Sequence, residues 1–338
     1  SNMKRLKEFI NFFVGTVPMD TFFDKWLESK KHLKAQTKRT YVQLINRYLR
    51  PVFGKKSVKT ITDEDIQRFV NDIQKDLSAK TVHEVYRCLR AVFELAIENK
   101  IIERNPCEKT ILPQKEKVEA VSLSIEDQEK LENALGESSK ALDIAILLAL
   151  NLGLRLSEVV ALRWQDIHFN ENIVTVRHSM ERIPTGDGSK TVAHLGTPKT
   201  QSSQRKIPLE FEFSKCLKEY FQKQTSVQKR PDAFVVGKKD GNSYHGRTIE
   251  RHFKKRLKEL MISETYTFHS LRHSFATRAM ESGVVIKVIS ALLGHSQTAT
   301  TTDIYLHLSE SFIRQEMMKM KDFKRKKRSG STQVRHAA

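Results

Sequence analysis

The chain has 338 residues, enough for two domains with real cores, and its 39% hydrophobic and 8% aromatic content excludes a disordered protein. Its 59 Lys and Arg outnumber 40 Asp and Glu, a net charge of +19 carried by both halves, which suits a polyanion, nucleic acid before membrane. No apolar run reaches the ~18 residues that span a bilayer, and Cys88, Cys107 and Cys216 show neither disulfide nor zinc spacing, so a reducing, cytoplasmic setting is expected.

Ser1 and Asn2 ahead of Met3 look like an expression remnant, and no secretion signal follows. Residues 18–105 read as a helical module. Phe22, Phe23, Trp26 and Leu27 sit at helical spacing. Tyr41, Leu44, Ile45, Tyr48 and Leu49 repeat it up to Pro51 and Gly54, which should end that helix. Thr62 opens another helix, and Ser78 caps a fourth that carries Val82, Val85, Leu89, Val92, Phe93 and Ala96. Residues 106–122 contain two prolines and little periodicity, and are expected to be a linker. A second domain over 123–325 opens at Ser124 and contains the all-apolar run ALDIAILLALNLG, a buried central helix. A strand-rich insert follows: IVTVRHSM, a TGDG turn, TVAHL, then RKIPL as a third short strand. Helices resume over 211–224, 247–261, 270–282 and 285–293 and from 299 onward, and 326–338 reads as a disordered basic tail. The fold class expected is mainly α with a small antiparallel β-sheet (α+β).

Five short features carry chemistry, and each alone has a bland reading. In GLRLSE, Gly153 stops the buried helix, Ser157 caps the next, and Arg155 sits in the turn between them; an isolated GLR more often just covers a helix end. His269 and Arg272 of HSLRH share a helix face, as solvated polar residues also do. Gly294 ends an apolar helix just before His295. Lys199 lies in a turn between strands. Tyr305 falls on an amphipathic stretch where a packed aromatic would be ordinary.

Their order is less ordinary. Arg155, Lys199, His269 with Arg272, Gly294–His295 and Tyr305, embedded in GLRLSEVVALRWQDI and TFHSLRHSFATRAMESGVVIKVISALLGHSQTATTTDIYLHL, closely resemble the tyrosine recombinase (phage integrase) family over roughly residues 20–320. The resemblance implies a two-domain DNA clamp and a phosphoryl-transfer enzyme needing no metal, ATP or other cofactor. Arg155 and Arg272 would meet the phosphate charge as paired donors, with His295 adding a hydrogen bond. Tyr305 would attack to leave a 3′-phosphotyrosine, His269 would assist its proton transfer, and Lys199 would protonate the departing 5′ oxygen. Glu158 is given a supporting role. Lys38, Arg39, Lys80, Thr81 and Arg87 are candidate DNA contacts, with Lys80 and Thr81 in the first turn after Ser78. The partners implied are double-stranded DNA attachment sites, further copies of the chain in a homotetramer on DNA, and accessory excision or DNA-bending proteins.

The length of the strand insert resembles integrases of conjugative transposons and temperate phages, which integrate and excise mobile elements. Such integrases commonly carry an N-terminal arm-binding domain, whereas about twenty residues precede the helical module here; absence and trimming both stay open. Outside that reading stand a type IB topoisomerase, Xer-like resolution and a non-catalytic DNA-binding regulator. The complete set of catalytic residue types argues against the last. The stripe Leu306, Leu308, Phe312, Ile313, Met317, Met318 and Met320 must be buried somewhere; its periodicity suits packing on its own domain equally well, and the resemblance implies docking on a neighbouring protomer.

Overall fold

The computed structural model describes residues 17–33, 35–115, 121–185, 190–196 and 204–294. The chain divides into two compact units, residues 1–118 with 182–192 and residues 119–181 with 193–338. Among the described residues no helix is long and apolar enough to cross a membrane.

The first unit is helical: α1 (Met19–Ser29), α2 (Ala35–Leu44), α3 (Arg50–Phe53), α4 (Asp63–Ile73) and α5 (Ala79–Glu98). Helix α5 is its spine, because Val82, Val85, Leu89, Val92, Phe93 and Ala96 recur along one face and bury against Phe22, Phe23, Trp26, Ile45 and Phe53. Thr62 and Asp65 form the reciprocal cap that starts α4. Ser78 caps α5 as expected, its hydroxyl accepting from the Thr81 N–H. The helix does stop at Gly54 as expected, after Phe53, but Pro51 lies within it and does not end it. A π turn at Ile45–Leu49 joins α2 to α3, and the Arg50 N–H reaches back to the Ile45 carbonyl. The wider turn accommodates the proline that an unbroken α-ladder would reject.

The expected linker begins later than its prolines suggest. Cys107 is fully buried in the first core and Leu112 packs on it. The Cys107 carbonyl accepts from the Tyr86 hydroxyl at 2.6 Å, and Gln67 bonds both the N–H and the carbonyl of Ile111. Low periodicity here marks an irregular segment fastened by polar contacts. Burial pushes the Cys88 and Cys107 thiols up to about 12, so both remain inert thiols.

From residue 119 onward come α6 (Ile125–Leu135), α7 (Ala141–Leu152), the single turn α8 (Leu156–Val159), strands β1 (Ile167–His168), β2 (Ile173–Val176), β3 (Ser179–Thr185), β4 (Lys190–Gly196) and β5 (Arg205–Pro208), then α9 (Phe211–Gln222), α10 (Gly246–Glu259), α11 (Phe268–Glu281) and α12 (Ile286–Leu293); all belong to the second unit except the parts of β3 and β4 within 182–192, which belong to the first. Ser124 caps α6 through the Asp127 N–H. Helix α7 is buried from Asp143 to Leu150, as its apolar run requires, and packs on α11, α10 and α6. The strands differ in pairing from the linear reading. IVTVRHSM breaks at residues 177–178 into β2 and β3, β3 pairs with β4, and RKIPL pairs antiparallel with β2 in a sheet of order β1-β2-β5. Alternation in β5 turns Arg205 and Ile207 inward and Lys206 and Pro208 outward.

Asp143, in the first turn of α7, is a buried anchor. It accepts from Ser138 and Arg256, each at 2.6 Å, and lies 2.6 Å from the His252 ring nitrogen. Burial alone would raise its carboxyl, but the bonds from His252, Arg256 and Ser138 prevail and hold it well below the usual carboxylate range. A depressed carboxyl contributes stability above the ordinary carboxylate range and loses it as pH falls through the folded value. Asp143→Asn is therefore expected to cost about 1.5–3 kcal/mol at neutral pH, the worth of a hydrogen bond to a charged group, and to flatten the loss of stability on acidification. Urea titrations at several pH values check both.

Candidate active site

The site grows from two helix ends. Helices α7 and α12 are apolar and each stops at a glycine in the left-handed region, Gly153 (φ 61°) and Gly294 (φ 65°). Their last carbonyls are thereby left pointing at the same place, and helix C-termini carry partial negative charge. Arg272, buried on α11, answers both ends: Nη1 donates to the Gly153 carbonyl and Nη2 to the Leu293 carbonyl, each at 2.7 Å. A Cβ on Gly153 would stand 2.6 Å from Phe275 Cδ1 and 2.8 Å from Leu293 Cδ2. Gly153→Ala should cost about 2–4 kcal/mol from backbone conformation and overpacking together, measured by chemical denaturation.

Arg155, not Ser157, is the N-cap of α8, because Glu158 returns its side chain to the Arg155 N–H at 2.9 Å. Glu158 is buried and gathers cations. It accepts from Arg155 Nη1 at 2.9 Å and from Arg205 Nη1 and Nη2 at 3.0 and 2.9 Å, and Arg272 Nη1 lies 4.0 Å away. Burial would push this carboxyl up; the bonds and charge of Arg205, then of Arg155, hold it below its ordinary range, so it is an anion.

The three guanidinium groups also divide the end of α12 among themselves. Arg205 Nε donates to the Leu292 carbonyl, Arg272 to Leu293, and Arg155 Nη2 to Gly294 at 3.3 Å. Three consecutive carbonyls, immediately before position 295, are thus held from β5, α11 and the α8 cap. Burial, then the charge of Arg155, lowers the Arg272 guanidinium to about 9, which leaves it ionised at neutral pH. Arg155 is the more open of the set, with 36% of its side chain exposed.

His269, also on α11, faces outward, and its ring meets His273 edge-on with centroids 4.6 Å apart. Desolvation, then the charges of Arg272 and Arg155, hold it below the ordinary imidazole range, so it is neutral at pH 7 and able to accept a proton. Lys199, His295 and Tyr305 lie outside the described residues, as do the stretch from 299 onward and the tail. Tyr266, an alternative phenol, is buried, donates to Asp127 at 3.1 Å and accepts from the Ser124 N–H. Burial raises it further from ionisation, so its role is structural. The residue missed from sequence is Arg205, whose signal was an arginine on the apolar parity of a strand.

In the first unit Lys80 is exposed and Thr81 half-buried in the opening turn of α5, and Arg87 is exposed seven residues on from Lys80, along the same stripe. Lys38 and Arg39 are half-buried on α2.

Residues 122–311 match the phage integrase family and residues 19–111 the phage integrase central domain. The chain is a tyrosine recombinase of the phage integrase family. It is accordingly an enzyme of site-specific DNA recombination. Among curated relatives, this recombinase is 30% identical over 279 residues to a XerC-like tyrosine recombinase of Caldanaerobacter subterraneus subsp. tengcongensis, covering 76% of this chain and 70% of that protein. It is 25% identical over 293 residues to the transposase of transposon Tn916 from Enterococcus faecalis, covering 81% and 70%. Its fold is similar to that of the Tn1549 transposon integrase solved with a circular intermediate DNA, at TM-score 0.74 and 24% identity, covering 90% of this chain and 99% of that one.

Proposed function

We propose that this recombinase integrates and excises a mobile element by cutting DNA through a 3′-phosphotyrosine on Tyr305. The observation that carries the chemistry is the cationic cluster on Glu158, of which Arg155 is the most exposed guanidinium, beside a neutral His269. Charge accumulates on the nonbridging phosphate oxygens during transfer, and prepositioned guanidinium forks stabilise it without reorganising. In this reading Arg155 and Arg272 serve the phosphate, His295 adds a hydrogen bond, His269 assists proton transfer from Tyr305, and Lys199 protonates the leaving 5′ oxygen. The free 5′-hydroxyl of a partner strand then reverses the linkage, so bond energy is conserved without ATP or metal.

The two domains close on double-stranded attachment sites as a clamp, with Lys38, Arg39, Lys80, Thr81 and Arg87 on the backbone, and four copies act together in the bacterial cytoplasm on the nucleoid. Accessory excision or DNA-bending proteins complete the assembly. Likeness to the Tn916 transposase supports a mobile element; likeness to the XerC-like enzyme favours Xer-type resolution as the second reading. Amplification across the flanks of the gene in its host separates them. A circular joint that vanishes in a Tyr305→Phe strain supports excision, whereas accumulating replicon multimers without any joint supports resolution.

Lys199→Ala should slow cleavage of ordinary DNA by roughly 10²–10⁴-fold, the usual worth of a general acid, and cleavage of a 5′-bridging phosphorothiolate far less. A thiolate departs without a proton. Equal defects on the two substrates would remove Lys199 from that role.

A further inference from the structure

The inference rests on the recombinase reading above and concerns a residue outside its catalytic set. Arg205 lies on β5, six positions after Lys199 in the chain, with only 5% of its side chain exposed. Its donors are committed within the protein: Nε to the Leu292 carbonyl and the fork to both oxygens of Glu158, at 3.0 and 2.9 Å. Glu158 is the carboxylate that also holds Arg155.

The charge balance gives this pairing a consequence. Arg155, Arg205 and Arg272 surround one carboxylate, a surplus of two positive charges. A buried carboxylate must be compensated by some cation. Arg155 already shares Glu158 through Nη1, and if Arg205 were neutral the carboxylate would draw its whole compensation from Arg155 and Arg272, the groups that this reading gives to the phosphate. Each guanidinium engaged inward is one fewer facing the substrate, and the surplus falls to one. We propose that Arg205 is a positioning residue for strand cleavage: by neutralising Glu158 it leaves the Arg155 guanidinium available to the scissile phosphate. Its Nε bond to the Leu292 carbonyl ties the same side chain to the helix end that leads into His295.

Single-turnover cleavage of a suicide substrate at saturating protein tests this, with one-site band shifts run alongside. Arg205→Met keeps the aliphatic stem and removes the charge. It should cleave about 10²-fold more slowly, the order seen when one transition-state donor is lost, with site affinity within about threefold of the parent. Arg205→Lys restores the charge without the fork and should lose less than about tenfold. The decisive protein is Arg205→Met combined with Glu158→Gln. A neutral amide no longer competes for Arg155, so the pair should cleave at least about tenfold faster than Arg205→Met alone. A residue that served packing only would give additive damage. The inference is overturned if the Lys variant is as slow as the Met variant, or if Glu158→Gln brings no recovery. Should Arg205→Met fail to fold, the Lys variant and the double variant still decide, since both keep the hub free of an uncompensated anion. Failure of the wild-type protein to form any Tyr305 adduct would instead overturn the recombination chemistry itself.

Discussion

Tyr305→Phe is expected to bind its DNA site with unchanged affinity and to form no covalent adduct, a loss of cleavage of at least about 10⁴-fold, as the removal of an enzymatic nucleophile produces. Only the phenolic oxygen is lost, so the aromatic ring is kept. A suicide substrate resolved on a denaturing gel reads the result directly, and mapping the adduct of the parent protein by mass spectrometry should return the peptide containing Tyr305. An adduct that persists in the Phe variant would place the nucleophile elsewhere. Tyr266 is a poor substitute, because its hydroxyl is buried against Asp127 and the start of α6.

Glu158→Ala should be strongly destabilising. The carboxylate and the Arg205 guanidinium are 4% and 5% exposed, so truncating one leaves the other charged and buried. Breaking such a pair costs about 3–5 kcal/mol, which for a unit of this size lowers the melting temperature by roughly 10 °C. The same change frees the Arg155 N–H and guanidinium together and opens the α8 cap. Cleavage should therefore fall even at temperatures where the protein remains folded. Calorimetry and single-turnover cleavage at low temperature separate the two losses; a melting point within two or three degrees of the parent would contradict the buried-hub description.

The parts of this fold that could be read from sequence are those decided within a few residues. Thr62 with Asp65, Ser78 and Ser124 start helices because each supplies an oxygen to an N–H three positions on. Gly153 and Gly294 end them because only glycine adopts the left-handed turn cheaply. The misreadings share the opposite character. Pro51 signals a stop, but a π turn upstream absorbs it. Ser157 looks like a cap, but Glu158 serves the Arg155 N–H first, and that preference depends on Arg205, 47 residues away. The pairing of β5 with β2 skips the intervening strands, so nothing in linear order announces it. Of the site, Arg155, Glu158, His269 and Arg272 were legible through motif order and resemblance. Arg205 was not, since an inward arginine has no meaning until its distant partner is known.

The arginine fan over the end of α12 also sets when this protein becomes capable of harm. Its links join positions 119 and 139 residues apart, from Arg272 to Gly153 and from Arg155 to Gly294, and 87 apart from Arg205 to Leu292. Contacts of that separation form late, after the loop-closure entropy has been met. A chain still emerging from the ribosome already carries Arg155 and Arg205 but has no α12 for them to grip, and Tyr305 follows later still. The geometry of the arginine fan therefore arrives only with the completed domain, long after the first Lys and Arg of the chain have been made.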